Sequence, residues 1–304
     1  MNNSFNNILI IGMGLIGSSI ARAIKKNKIS SNVYGLDLDQ EVLANCNRLG
    51  ILTESKKDLE EYSFQFDLII ICSPLGTYKK IFSSLNKFVK QSTLITDVGS
   101  TKVSVIKDYK DCCPNNKNIF FIPAHPIAGL EKSGPEHGFA ELFENRYCIL
   151  TPIENEEENI VKIKNFWKNI GMSIEIMKPE HHDRVLAMTS HIPQLIAYSI
   201  VFTANELEDH LKDEVLKYSA AGFRDFTRLA GSDPIMWRDI YKMNKEAVIE
   251  MLGRFAEDLT TLQKAIRNED LKFLENIFSS TREIRKTIES LGQAGSFDPT
   301  EKKK

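Results

Sequence analysis

Three glycines near the amino terminus have the spacing of a phosphate-binding turn. Gly12, Gly14 and Gly17 follow an apolar run and precede a segment whose apolar residues recur at helical intervals. In such a turn the first glycine permits the tight bend, the second lets the backbone approach a pyrophosphate, and the third allows the helix to pack closely on the strand. The pyrophosphate accepts hydrogen bonds from the free N–H groups where the helix begins, here near Leu15 and Ile16. The pattern therefore predicts a dinucleotide-binding site.

Asp37 indicates which dinucleotide the site takes. It lies twenty positions after Gly17, where a carboxylate accepts hydrogen bonds from the ribose hydroxyls. The same carboxylate repels a 2′-phosphate, and residues 38–40 carry no positive charge that would attract one. We therefore expect NAD rather than NADP. In the alternative interpretation, the glycines only end a strand in a sheet that binds no nucleotide.

Two further polar segments follow apolar runs and are candidates for contacts with the same ligand. Ser73 and Pro74 end the run Asp67–Cys72, and the Ser73 hydroxyl is placed to contact a ribose or phosphate. Ordinary turn chemistry explains the Ser-Pro pair equally well. Residues 97–102, which include Ser100, follow another run and are expected at the same edge of the sheet.

His125 is the candidate catalytic base. It directly follows an apolar run and precedes a loop rich in proline and glycine, where a scaffold often presents catalytic groups. Removal of a hydride from a carbinol requires a base for the hydroxyl proton, and the pKa of histidine suits that task. A purely structural histidine fits the pattern equally well.

Short apolar runs separated by helical segments make up the first 178 residues. Runs that are apolar throughout are typical of parallel strands buried on both faces. We therefore predict a doubly wound, Rossmann-type α/β domain over residues 1–178. The predicted strands are Asn7–Ile11, Val33–Leu36, Asp67–Cys72, Thr93–Thr96, Ile119–Pro123, Tyr147–Leu150 and Ser173–Met177.

Beyond Lys178 the apolar residues recur only at intervals of three and four, which predicts an all-helical domain over residues 179–304. An unbroken stripe from Met236 to Ile266 predicts one helix about 45 Å long. Because that length is large for a small domain, we expect it to pack against a second subunit in a homodimer. Another predicted stripe consists of Val185, Met188, Ile192 and Leu195.

Composition narrows the possible partners and the compartment. The chain has 304 residues and a formal charge of −2, so no global field favours nucleic acid or a membrane surface. Five cysteines without a CxxC pattern fit a reduced, cytoplasmic protein, and no apolar run approaches the ~18 residues of a membrane span. The pair His181-His182 has no further ligands at suitable spacing, so we expect no metal site.

Several longer motifs, taken in order, resemble the prephenate/arogenate dehydrogenase family of tyrosine biosynthesis. The resemblance covers nearly the whole chain. It implies an NAD-dependent oxidative decarboxylation, in which hydride leaves a cyclohexadienol ring, CO2 departs and the ring becomes aromatic. The motifs are GMGLIGSS at residue 12 (after Ile11), DVGSTK at 97, HPIAGLEKSG at 125, SHIPQ at 190, GFRDFTR at 222 and SDPIMW at 232.

The resemblance implies roles for individual residues. His125 is similar to the residue that accepts the proton of the ring hydroxyl, and Ser100 to a polar contact near the nicotinamide. Arg228 resembles the arginine that holds a substrate carboxylate, which suits bidentate recognition by a guanidinium. Glu131 resembles a residue that orders polar contacts around the site. The implied substrate-binding set also contains His191, Gln194, Gly222 and Trp237.

Several of these implied roles have structural alternatives. His191 lies beside Pro193, which is expected to kink its helix, and it is either a wall of the substrate pocket or a core histidine. Trp237 is at least as compatible with plain packing as with the pocket rim. Gln194 stands where some relatives have a second histidine, so its contact with the substrate side chain is open.

Three rival functions remain at this stage. Arogenate dehydrogenase, or an enzyme that accepts both prephenate and arogenate, differs from prephenate dehydrogenase only at the substrate side chain. Other β-hydroxyacid dehydrogenases share the two-domain plan but commonly use a lysine on a helix of the second domain. A non-catalytic NAD-sensing protein is the third alternative, and possession of both a base and a substrate arginine argues against it.

Overall fold

A computed structural model of the chain describes residues 5–153, 157–208, 211, 214–215 and 217–290. The chain divides into two compact units, residues 1–248 and residues 249–304. The predicted division at residue 179 stays a prediction, although the last strand of the described chain ends at Ile176 and the elements after it are helical.

The first unit is built on a six-stranded parallel sheet with strand order β3-β2-β1-β4-β5-β6. This confirms the predicted doubly wound architecture, in which apolar strands are covered on both faces. Strand β3 is missing from the prediction because its three residues are polar and lie at the sheet edge. The strands are β1 (Asn7–Ile11), β2 (Asn32–Leu36), β3 (Glu54–Lys56), β4 (Leu68–Ile71), β5 (Thr93–Asp97) and β6 (Ile119–Ile122).

A second, three-stranded sheet corrects part of the prediction. Tyr147–Leu150 and Ser173–Met177 were expected in the parallel sheet, but β8 (Tyr147–Leu150) and β9 (Ser173–Ile176) form a separate sheet with β7 (Ala124–Pro126). Strand β7 runs antiparallel to β8 and contains His125, which was expected directly after a strand of the parallel sheet and before a loop. Apolar content identifies a strand but carries no information on its partner, and a three-residue strand that ends in proline has almost no signal.

The glycine turn after β1 has the strict geometry that its motif requires. Gly12 has a φ of +93°, and a Cβ there would lie 2.7 Å from the Ser73 backbone nitrogen. At Gly17 a Cβ would collide with the Gly12 carbonyl oxygen, so the first helix packs directly on the turn. At Gly14 a Cβ would meet no atom within 4 Å.

The helices cover the parallel sheet in the first part of the chain and form all described regular structure in the last part. They are α1 (Leu15–Lys26), α2 (Gln40–Arg48), α3 (Tyr78–Phe88), α4 (Val103–Cys112), α5 (Glu157–Asn169), α6 (Pro179–Leu186), α7 (Ile192–Asn205), α8 (Ala221–Thr227), α9 (Pro234–Met243), α10 (Lys245–Arg267) and α11 (Leu271–Ser290).

The predicted single helix from Met236 to Ile266 is wrong at one residue. Asn244 separates α9 from α10 and has φ −110° and ψ 29°, outside the helical range. Its buried side chain donates a hydrogen bond from Nδ2 to the Asp183 carbonyl at 2.8 Å. The apolar stripe continues through the break, which is why periodicity alone does not reveal it. The remaining helix, α10, has 23 residues and a length of about 35 Å.

The predicted stripe through Val185 and Met188 is also wrong, since Met188 is 52% exposed. Between α6 and α7 the residues Ala187–His191 form a π-helical turn, which shifts the register of every later residue. The buried face of this helical stretch instead carries His182, Asp183, Leu186, Ala187, His191, Ile192, Gln194 and Ala197.

The same stretch, Pro179–Asn205, is long and apolar enough to cross a membrane by length and composition, a test that core helices of soluble proteins also pass. Its buried face carries polar groups that are hydrogen-bonded within the protein. His182 contacts both His125 and Asp183, and His191 contacts Asn244. Such contacts are those of a helix packed inside a protein.

A fully buried ion pair joins the two sheets. The Lys102 ammonium donates hydrogen bonds to Asp97 Oδ2 and to the Ala124 carbonyl, each at 2.6 Å, and both charged side chains are 0% exposed. Asp97 also accepts hydrogen bonds from the backbone N–H groups of Gly99 and Ala124 and from the Tyr78 hydroxyl. Burial lowers the pKa of Lys102, and the Asp97 carboxylate opposes that shift.

Replacing Lys102 with methionine should destabilise the protein strongly. The substitution keeps the apolar stem of the side chain but leaves the Asp97 carboxylate buried without its counter-charge. We expect the free energy of unfolding to fall by about 3–5 kcal/mol, measured by urea-induced unfolding. Lys26→Met is the control, because Lys26 pairs with Glu141 and Glu144 at 44–48% exposure and should contribute about 1 kcal/mol or less. Equal stability of the two variants would contradict the assignment.

Alanine substitutions in the glycine turn should separate folding from ligand binding. Gly17→Ala forces the helix away from the Gly12 carbonyl, so we expect the melting temperature to fall by roughly 5 °C. Gly14→Ala meets open space and should keep the melting temperature of the parent protein. Its methyl group occupies the approach to the turn, so NAD affinity should fall at least about tenfold by calorimetry. Equal losses of melting temperature in both variants would disprove this division of roles.

Candidate active site

The predicted nucleotide-binding residues meet at the carboxyl edge of the parallel sheet. The glycine turn follows β1, Ser73 and Pro74 follow β4, and Ser100 follows β5. Gly14 is the N-terminal cap of α1, and no side chain of the described residues caps that helix. The N–H groups of the first turn are therefore available to an anion, and the open space at Gly14 leaves room for its approach.

Asp37 lies beside the glycine turn, as its predicted role requires. Its Oδ2 accepts a hydrogen bond from the Met13 N–H at 2.7 Å, and its Oδ1 accepts one from the Asp39 N–H at 3.0 Å. These contacts hold the carboxylate between the turn and the end of β2. The side chain is only half-buried, so a ribose can still reach it.

Ser73 is adjacent to the same turn. Its hydroxyl accepts a hydrogen bond from the Thr77 hydroxyl at 3.0 Å, and its backbone nitrogen packs against Gly12. Pro74 is exposed and caps the short 3-10 helix Leu75–Thr77. Turn chemistry therefore explains the Ser-Pro pair structurally, while its position beside Gly12 keeps Ser73 within the nucleotide region.

His125 is a buried imidazole held by a second histidine. It is 9% exposed on β7, and its Nδ1 lies 2.9 Å from His182 Nε2. His182 Nδ1 in turn lies 2.7 Å from Asp183 Oδ1. Burial lowers the pKa of His125 well below its usual range, and the neighbouring His182, Lys102 and His191 lower it further. The imidazole is therefore neutral at physiological pH and able to accept a proton.

His191 is a second neutral imidazole. It is 0% exposed, and burial lowers its pKa to about 4. Its Nδ1 lies 3.1 Å from Asn244 Nδ2, and its ring packs edge-on against Trp237 at 6.0 Å between centroids. The kink predicted at Pro193 stays a prediction; the structure has a π-helical turn over Ala187–His191, just before Pro193 in the first turn of α7.

Arg228 reaches the loop that follows His125. Its guanidinium donates a hydrogen bond to Glu131, six residues beyond His125 in the chain, and its side chain is 61% exposed. Gln194 is buried and donates from Nε2 to the Leu229 carbonyl at 2.7 Å. Gln194 thus supports the turn that carries Arg228, a contact that sequence reasoning did not anticipate.

The predicted substrate residues fall into two connected groups. One runs from His125 through His182, Asp183 and Asn244 to His191. The other contains Arg228 and Glu131, together with the supporting Gln194. Ser100 is half-buried after β5. Gly222 joins neither group, because it is exposed in α8 and a Cβ there would meet no atom within 4 Å.

Sequence reasoning missed four residues of this region, and each escaped for a physical reason. His182 and Asp183 lie in a charged segment that resembles a solvated helix start, and only their spacing from the buried Leu186 signals burial. Lys102 ends the DVGSTK motif, but its burial is not predicted because lysine is rarely fully buried. Asn244 interrupts an otherwise regular helix.

Comparison with known proteins identifies the family. The model of the prephenate dehydrogenase nucleotide-binding domain matches residues 20–176, and that of the prephenate dehydrogenase dimerization domain matches residues 178–280. The chain is 37% identical to the cyclohexadienyl dehydrogenase of Zymomonas mobilis over 94% of this chain and 97% of the relative. It is 34% identical to the prephenate dehydrogenase of Bacillus subtilis over 94% of this chain and 76% of that protein.

Solved structures agree with the sequence relatives. The crystal structure of prephenate dehydrogenase from Aquifex aeolicus in complex with hydroxyphenyl propionate and NAD+ superimposes with a TM-score of 0.89. It is 32% identical, and the match covers 95% of this chain and 100% of that chain. The residues at the glycine turn fit the same cofactor, NAD. The chain therefore belongs to the prephenate dehydrogenase family of NAD-dependent oxidoreductases.

Proposed function

We propose that this chain catalyses the NAD-dependent oxidative decarboxylation of prephenate to 4-hydroxyphenylpyruvate. The observation that carries the proposal is a neutral, buried imidazole, His125, in a chain of this family whose glycine turn fits NAD. NAD held at the glycine turn, with Asp37 beside it, would supply the acceptor for the hydride of the ring carbon that bears the hydroxyl. The bond between the ring and its carboxylate breaks, its electron pair completes the aromatic ring, and CO2 leaves.

His125 acts on the ring hydroxyl in this proposal. As the C–H bond breaks, positive charge develops at the carbinol carbon, and the neutral imidazole accepts the hydroxyl proton. Because the product is a phenol, the proton returns to the same oxygen when the ring becomes aromatic. The reaction as a whole therefore releases no proton. The imidazole contributes orientation and transient charge stabilisation, which the release of CO2 complements.

Arg228 is the proposed carboxylate-binding residue. Its guanidinium already contacts one carboxylate, that of Glu131, in the loop after His125. Since prephenate carries two carboxylates on an apolar ring, bidentate pairing with a guanidinium suits its recognition. Ser100, half-buried after β5, is the proposed polar contact beside the nicotinamide.

Two unpaired donors favour prephenate over arogenate. Asn244 Nδ2 is a donor, so the neighbouring His191 Nδ1 accepts and the proton of this neutral ring resides on Nε2. His191 Nε2 and the Trp237 indole Nε1 are both buried, and neither has a hydrogen-bond partner among the described residues. The side-chain keto oxygen of prephenate accepts hydrogen bonds from such N–H groups, whereas the ammonium that replaces it in arogenate only donates. The side-chain carboxylate is common to both substrates. Dual specificity is the alternative, because the Zymomonas mobilis relative is named a cyclohexadienyl dehydrogenase.

We also propose that the enzyme is a cytoplasmic homodimer. The dimerization-domain match over residues 178–280 supports association. Helices α10 and α11 leave large apolar side chains more than half exposed, which is typical of a surface that a partner covers. These side chains include Ile266, Leu271, Phe278 and Ile284.

Replacing His125 with asparagine should abolish turnover but keep the cofactor site. We expect kcat for NAD reduction with prephenate to fall at least about 10³-fold, because the proton acceptor is lost. The dissociation constant of NAD, measured by calorimetry, should change by less than about twofold. His137→Asn is the control, since His137 is 40% exposed in the loop after β7. Turnover within tenfold of the parent enzyme would eliminate His125 as the base.

Replacing Trp237 with phenylalanine should reduce the preference for prephenate. The parent enzyme is expected to show a kcat/KM at least about tenfold higher for prephenate than for arogenate. The substitution keeps the ring packing but removes the indole N–H, so kcat/KM for prephenate should fall about tenfold while that for arogenate changes little. An enzyme that prefers arogenate, or a variant that loses both activities equally, would refute the assigned selectivity.

A further inference from the structure

We infer that His182 and Asp183 form a relay that sets the tautomer of His125 and so keeps the nitrogen that receives the proton free. The kinetic part of this inference rests on the proposed function, whereas the tautomer itself does not. His182 and Asp183 are positioning residues, because they contact the base and not the substrate.

The relay begins at the Asp183 carboxylate, which is held in place by backbone N–H groups at the start of α4. Asp183 Oδ1 accepts a hydrogen bond from the Lys102 backbone N–H at 2.7 Å, and Oδ2 accepts one from the Val103 N–H at 3.0 Å. Both donors belong to the start of α4, so Asp183 is locked to the helix terminus that follows β5. A carboxylate ion can only accept hydrogen bonds, so the proton between it and His182, 2.7 Å away, resides on His182 Nδ1.

The position of the proton on His182 determines the position of the proton on His125. Burial lowers the pKa of His182, so the ring carries a single N–H, although its hydrogen bond to Asp183 opposes the shift. With the proton on Nδ1, His182 Nε2 presents a lone pair, and it lies 2.9 Å from His125 Nδ1. His125 must therefore donate from Nδ1, which leaves its Nε2 unprotonated. That is the tautomer a base needs if Nε2 accepts the hydroxyl proton.

The relay also supports the base after it has accepted the proton. An imidazolium at His125 gains a positive charge in a buried site that already contains the Lys102 ammonium. The same Nδ1–H then donates to His182, whose other nitrogen is backed by the Asp183 carboxylate. A negative charge two hydrogen bonds away is therefore aligned with the charge that develops during the reaction.

Two substitutions at residue 182 test the relay. His182→Phe keeps an aromatic ring but removes the acceptor, so the Nδ1–H tautomer of His125 loses its support. We expect kcat with prephenate to fall about 10²–10³-fold with KM changed less than about threefold. His182→Gln offers an amide oxygen in place of Nε2 and should recover at least about tenfold of that loss. His181→Phe is the matched control, since His181 is exposed beside it, and should leave kcat unchanged.

Nitrogen-15 NMR of histidine-labelled protein reads the tautomer directly and without substrate. The His125 signals, assigned by their loss in His125→Asn, should show a protonated Nδ1 in the parent protein and in His182→Gln. In His182→Phe they should show the Nε2–H form or a mixture of tautomers. A parent protein with the proton on His125 Nε2, or a His182→Phe protein with unchanged tautomer, would overturn the relay.

The outcomes for the relay and for the proposed function are separable. A parent protein that shows the Nδ1–H tautomer but does not oxidise prephenate would reject the function and retain the relay. A parent protein that oxidises prephenate while His182→Phe keeps kcat within threefold would reject the relay and retain the function. Equal losses in His182→Phe and His182→Gln, or a change confined to KM, would also reject the relay.

Discussion

The buried contact between Lys102 and Asp97 is the constraint on which the geometry of the active site depends. Asp97 ends β5 of the parallel sheet, and Ala124 begins β7 of the second sheet. The ammonium bridges them by donating to the Asp97 carboxylate and the Ala124 carbonyl, while the same carboxylate accepts from the Ala124 N–H. Because His125 is the next residue, the position of the base follows from an ion pair that no water reaches.

Most polar groups around His125 and His191 are already engaged in hydrogen bonds within the protein. Asp183 binds two N–H groups of α4 and one imidazole, and its carbonyl accepts from Asn244. Asn244 in turn orients His191. His125 and His191 are thus each held in a single tautomer by a buried, hydrogen-bonded partner, His182 and Asn244 respectively. Rigid support of this kind is what transition-state stabilisation requires, because the groups need not reorganise during the reaction.

Local signals were sufficient to predict the parallel sheet and the nucleotide turn. A buried parallel strand must be apolar throughout, and the turn at Gly12 and Gly17 excludes side chains for steric reasons, so both leave clear patterns in the sequence. The second sheet was not predictable in the same way, because pairing between β7 and β8 depends on contacts between residues far apart in the chain. Similarly, the burial of His182 and Lys102 depends on their partners, which no local pattern specifies.

The π-helical turn at Ala187–His191 changes the direction in which the side chains of α7 point relative to those of α6. In an uninterrupted α-helix, twelve residues advance by about 100° each, so His182 and Gln194 would point about 120° apart. One additional residue accommodated in the wide turn removes about 100° of that difference, and both side chains are in fact buried, at 0% and 2% exposure. Deleting one residue there would restore ideal helix geometry and keep the buried face of α7, whereas winding the same residues as a regular α-helix would rotate the remainder of α7 by about 100° away from the core. The π-helical turn thus lets the stretch Pro179–Asn205 place His182 against the base and Gln194 against the turn that carries Arg228.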